Sequence, residues 1–147
     1  GLDITRSMGV GIGRPHTLSL LAKARAKMGQ FEEALTLLAE ALAIARESGE
    51  ASSFVDLHRL KGEFLLALSR ENQDEAEASL RQAIKIARQQ RAKILELRAA
   101  VSLSRLWQSQ GKGEKARRLL SQIYGWFREG FDTTDLKEAK ALLNALS

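Results

Sequence analysis

Three stretches of the chain repeat one apolar pattern in one register: GQFEEALTLLAEALAIAR (29–46), NQDEAEASLRQAIKIAR (72–88) and GKGEKARRLLSQIYGWFR (111–128). Ala34, Ala76 and Ala116 take the first place, Leu38, Leu80 and Leu120 the place four residues on, and Ala41, Ala83 and Ile123 the place seven on. Those offsets keep all three positions on one face of an α-helix. An alanine where two helices cross lets their backbones approach closely, and the leucine one turn later fills the space beside it. A unit that buries only one helix face needs neighbours, and stacked copies of itself supply them. The pattern therefore predicts an all-α protein of stacked helical hairpins.

Each repeated helix has a partner before it. From Pro15, which is well placed in a helix's first turn, Leu18, Leu21, Ala22, Arg25 and Met28 recur at helical spacing until Gly29-Gln30 breaks the period. Phe31, Ala34, Leu35, Leu38, Ala41, Leu42 and Ala45 resume it up to Ser48-Gly49. Two helices joined by so short a break lie antiparallel. Phe54, Leu57, Leu60, Phe64, Leu65 and Leu68 lead to Asn72 and a return helix with Ala76, Leu80, Ala83, Ile84 and Ala87; Leu97, Ala100, Val101, Leu103, Leu106 and Trp107 lead to Gly111 and the third return helix. A seventh helix, with Leu136, Ala139, Leu142, Leu143 and Leu146 on one face, starts near Asp132, where Asp132 and Asp135 have the spacing of a capping box. Lys137, Glu138 and Lys140 point away from that face, as the end of a stack requires. The expected organisation is a loop or the end of a truncated upstream helix over 1–14, repeats over 15–49, 50–89 and 92–128, and a capping helix over 131–147.

Composition narrows the chemistry. Among 147 residues there is no cysteine and one proline. That leaves no disulfide, thiolate metal site or cysteine nucleophile, and it fits a reducing, cytoplasmic setting. No apolar run is long enough to span a membrane. The first residues do not read as a secretion signal, and with no initiator methionine the chain is expected to be a piece of a longer polypeptide. The alternation Gly9, Gly11, Gly13 lacks the preceding strand a dinucleotide loop requires. Net charge is +5, but residues 81–118 alone carry eleven Arg or Lys against Glu96 and Glu114. A solvated helix surface is the first reading of that segment; an acidic partner, and less so nucleic acid, are the alternatives.

Leu21-Ala22, Phe31, Ala34, Leu38 and Ala41 resemble the tetratricopeptide repeat, although the alanine-to-alanine distances of 42 and 40 residues exceed the usual ~34. Arg70-Glu71 looks like a small insertion before the second turn. The strings HRLKGEFLLAL (58–68), ELRAAVSLSRLWQSQGK (96–112) and YGWFREGFDTTDLKEAKALL (124–143) resemble something narrower. They are similar to the C-terminal tetratricopeptide region of large bacterial signalling proteins that join a class III adenylate/guanylate cyclase-type domain to an AAA-like regulatory ATPase. GRPHTLSLLAKARAKMGQFEEALTLLAEAL (13–42) fits the same region. The resemblance implies a right-handed solenoid that senses or relays through protein contacts, with any cyclase and ATPase chemistry upstream.

It also implies a groove lined by the first helix of each hairpin. Its inward positions would be Ser19, Lys23 and Lys27, then Asp56, Arg59 and Glu63, then Arg98, Val101, Arg105 and Gln108. So basic a groove would suit an acidic peptide or a chain-terminal carboxylate. Lys23 stands where the first asparagine of a carboxylate clamp would be, which sets this groove apart from a strict clamp. Catalytic, cofactor and metal sites are not expected. His16 and His58 lack further ligands, and His58 with Asp56 and Glu63 lacks a nucleophile. Trp107 is expected in the core, and Trp126 and Phe127 as anchors of the last helix, with Trp126 a contact patch if exposed. The leading expectation is a protein-interaction module; self-association or an intramolecular scaffold is the alternative, and nucleic-acid binding through 81–118 the lesser one.

Overall fold

The computed structural model describes residues 15–49, 53–127 and 133–146. The expectations for residues 1–14 and for Asp132 lie outside them. Among the described residues there are seven α-helices: α1 (Pro15–Lys27), α2 (Phe31–Ser48), α3 (Phe54–Leu68), α4 (Gln73–Gln90), α5 (Lys93–Ser109), α6 (Gly113–Tyr124) and α7 (Thr134–Leu146). They pair as α1 with α2, α3 with α4 and α5 with α6, and α7 closes the stack against α5 and α6. The first helices of successive hairpins, α3, α5 and α7, touch one another and form an inner layer; α2, α4 and α6 form the outer one.

The repeat register seen in the sequence is the register of the core. All nine aligned residues, from Ala34, Leu38 and Ala41 to Ala116, Leu120 and Ile123, have 0% exposure. One apolar cluster fills the space among α1, α2 and α3, a second runs from α3 to α7, and α3 contributes to both. Phe31 and Phe64 seal the first, with ring centroids 6.0 Å apart. The hairpin α3–α4 holds a contact closer than the alanines provide. A Cβ at Gly62 would lie 2.8 Å from Leu80 Cγ and 3.1 Å from the Ala76 carbonyl oxygen.

The turns are built from hydrogen bonds that stop each helix sharply. After α1, the N–H of Gln30 donates to Arg25 O and that of Gly29 to Ala26 O, both at 2.9 Å, with Gly29 at φ 78°; this is the Schellman arrangement. After α4 the same arrangement forms through Ala92 to Ala87 O and Arg91 to Arg88 O, but with an arginine at φ 57°. Arg70-Glu71, read as an insertion, belongs to a 3-10 turn, Arg70–Asn72, capped by Ser69 Oγ accepting from the Glu71 N–H. Asn72 Nδ2 donates back to Leu65 O at 3.0 Å, tying that turn to the end of α3.

The polar residues of the last helix, Lys137, Glu138 and Lys140, are exposed as expected. The Thr133 carbonyl accepts the first bond of α7 from Lys137, as a cap residue does. The Asp135 carboxylate reaches across to Arg98 on α5. Glu138, exposed, also lies 3.7 Å from Arg105. Trp107 is buried, whereas Trp126 is 37% exposed and only Phe127 packs on the core.

Candidate protein-binding groove

The inner layer carries a cavity of about 450 Å³ between α3, α5 and α7. Arg59, Glu63, Arg98, Val101 and Arg105 line it, with Ser102, Thr134, Asp135 and Glu138 completing the walls. A neighbouring cavity of about 380 Å³ shares Glu63, Ser102 and Arg105 and continues toward Arg70, Gln73 and Ser109. The two form one groove along α5. Helical spacing produces it: Arg98, Ser102, Arg105 and Ser109 follow one another at four- and three-residue steps, so they share a face.

The charges on that face are already engaged. Arg59 lies between two carboxylates of its own helix, with Nη1 donating to Glu63 Oε2 at 2.8 Å and Nη2 to Asp56 Oδ1 at 3.4 Å. Ser102 Oγ donates to the same Glu63 oxygen at 2.7 Å, a bridge from α5 to α3. Arg98 grips Asp135 with two parallel bonds of 3.0 and 3.1 Å, the two-pronged geometry that arginine makes well. Those bonds, outweighing burial, hold the Arg98 guanidinium even more firmly protonated than usual. Of the three paired arginines Arg105 makes the loosest contact and keeps 57% of its side chain exposed, so it is the most open of them to a ligand.

The groove is therefore close to charge balance, with Arg59, Arg70, Arg98 and Arg105 against Glu63, Asp135 and Glu138, where a basic one is expected from the sequence. The physical reason is that arginines on α3 and α5 pair with carboxylates on α3 and α7. The inward positions also do not form one set. Ser19 is buried, and its hydroxyl donates to His16 O at 2.8 Å. With His16 and Asp56 it lines a separate cavity of about 160 Å³ between α1 and α3. Lys23, Lys27 and Gln108 are exposed and line none of these cavities. Ser102 was missed although it falls between Arg98 and Arg105 on the same stripe; Asp135 and Glu138 were missed because they belong to a helix read only for its apolar face. The two histidines lie apart in role: His16 is exposed, while His58 is half-buried and stacked on Phe54 at 6.3 Å.

Stacked hairpins with small residues at their crossings, and a groove along the first-helix layer, define a tetratricopeptide-like α-helical repeat fold. Residues 16–48 match the family model described as tetratricopeptide repeat, and residues 52–108 match the one described as anaphase-promoting complex subunit 5. An uncharacterized protein of Rhizobium meliloti (strain 1021) is 33% identical over 106 residues, which is 72% of this chain and 10% of the relative. The chain thus spans about a tenth of the length of the curated relative it matches.

Proposed function

We propose that this chain is a protein-interaction module whose inner groove receives a polar segment of a partner, as part of a bacterial multidomain signalling protein. Tetratricopeptide repeats generally mediate protein–protein contact. The observation that carries the reading is the continuous groove along α5, where the exposed Arg105 stands beside Ser102 and the carboxylates of Glu63 and Glu138. A segment bearing an acid toward Arg105 and a donor toward Glu63 or Glu138 suits such a balanced surface better than a purely acidic one. The signalling context rests on the resemblance of the strings at 58–68, 96–112 and 124–143, and the much longer bacterial relative, of which the match covers 10%, supports a multidomain parent.

The test is retention of protein from nuclease-treated bacterial lysate on the immobilised chain. Arg105→Glu with Ser102→Ala alters the groove, and Lys23→Ala with Lys27→Ala alters α1 as the control. A protein held by the wild type and the α1 variant but lost by the groove variant supports the reading. Equal retention by all three, or none by any, counts against it.

A second reading, docking to another part of the same polypeptide, has its own support. Leu20 and Leu21 of α1 and Met28 just after it are exposed, and a cavity of about 220 Å³ beside Leu21 is lined by Leu21, Arg25, Glu33, Thr36 and Leu37. An apolar face of this kind on the first hairpin is where a preceding helix of a solenoid would stack. Light scattering over a concentration series distinguishes self-association through this face from a monomer.

A further inference from the structure

The outer layer carries a second groove of different chemistry, independent of the one above. It runs between α4 and α6 across α5 and encloses about 330 Å³. Its floor is apolar, made of Ile84 from α4, Leu103 and Trp107 from α5 and Leu119 from α6. Along its α4 wall stand Arg81, Lys85 and Arg88. Steps of four and three residues keep them on one stripe about 10 Å long, the rise of two helical turns.

Trp107 is the centre of this surface. The Arg81 guanidinium carbon lies 5.4 Å from its ring centroid, and Lys115 Nζ, from the α6 wall, lies 4.5 Å from it. Both fall within the range of a cation–π contact. The indole N–H donates to Glu77 Oε1 at 3.1 Å, which fixes the ring. Burial pushes the Glu77 carboxyl up, but its bonds from Arg81 and Trp107, with the charges of Arg81 and Lys112, outweigh that and hold it below the usual range. Arg81 is engaged by Glu77 at 2.8 Å and Arg88 by the buried Glu96 at 2.7 Å. Lys85 and Lys115 have no carboxylate partner among the described residues.

We propose that this outer groove docks an acidic amphipathic helix of a partner protein, its apolar stripe over the Trp107 floor and its carboxylates against Lys85 and Lys115. Charge complementarity selects that occupant. Lys85 on the α4 wall and Lys115 over the Trp107 ring have no carboxylate partner among the described residues, so the fitting ligand carries acids beside its apolar face. A nucleic acid fits less well. Its phosphates need a track of open cations, yet Arg117 and Arg118 are held by Glu114 and Arg81 by Glu77. The floor, moreover, offers a phosphate nothing.

The chain holds two tryptophans, so a Trp126→Phe background makes Trp107 the sole indole reporter. The probe is a synthetic helical peptide with leucines at i, i+3, i+4 and i+7 flanked by glutamates, titrated against Trp107 emission. A saturable change is expected, weakened about tenfold or more by Lys85→Glu with Lys115→Glu and recovered when the peptide's glutamates become lysines. Circular dichroism checks that the exposed substitutions leave the helices formed. The proposal is overturned if calorimetry and emission both show no binding, if the charge-reversed variant binds the acidic peptide as well as its parent, or if a short DNA duplex binds the groove more tightly than the peptide.

Discussion

Gly62 on α3 and Leu80 on α4 meet so closely that a methyl group on the glycine would lie 2.8 Å from Cγ of the leucine. Glycine inside a helix ordinarily costs up to about 1 kcal/mol relative to alanine. Here that cost is outweighed, because it lets α3 lie against α4 at the aligned leucine of the second repeat.

Gly62→Ala should therefore destabilise the chain, although alanine is the better helix former. Leu80 is fully buried, and the Ala76 carbonyl beyond it is backbone, so neither yields cheaply. Overpacking of about 1–3 kcal/mol exceeds the propensity gain of about 1 kcal/mol. The midpoint of urea unfolding measures the outcome; a midpoint higher than that of the wild type would show that the crossing has room to relax.

Arg91→Gly should act in the opposite direction. Arg91 closes α4 in the left-handed region at φ 57°, in the same hydrogen-bonded arrangement that Gly29 and Gly111 adopt after α1 and α5. A side chain in that region costs roughly 1–2 kcal/mol, which glycine avoids at some loss of chain entropy. A net gain of about 0.5–1 kcal/mol in thermal or urea unfolding is expected. No gain would mean that the Arg91 side chain makes a compensating contact.

His58 makes stability pH-dependent. Burial first, then the charges of Lys61 and Arg46, push its pKa down to about 4. The unfolded chain's histidine titrates near ~6.5, so between these values the unfolded state takes up a proton that the folded state refuses. The stability from neutral His58 is fully present above pH ~6.5 and is lost as pH falls toward about 4. The side chain is only partly buried, and screening reduces the effect to about 1 kcal/mol between pH 7 and pH 5. Urea midpoints at the two pH values read it, and His58→Gln should flatten the difference. An identical pH slope in that variant would assign the dependence to other groups.

The sequence by itself determined the helices, their pairing and the buried face. Helical periodicity is local: residues four and seven apart share a side whatever lies beyond them, and the nine aligned Ala, Leu and Ile positions are all core. The resemblance to the tetratricopeptide repeat, rather than periodicity, placed Arg59, Arg98 and Arg105 on the inner layer. Only the tertiary structure decided their charge state of affairs, because Arg98 meets Asp135 from 37 residues away and Ser102 meets Glu63 from 39. Which carboxylate faces which guanidinium depends on the offset between stacked hairpins, and nothing in the spacing along one helix encodes that offset. It brought a groove expected to be basic close to charge balance, and it set Trp107 between Arg81 and Lys115 on the outer face, where three helices from two hairpins converge.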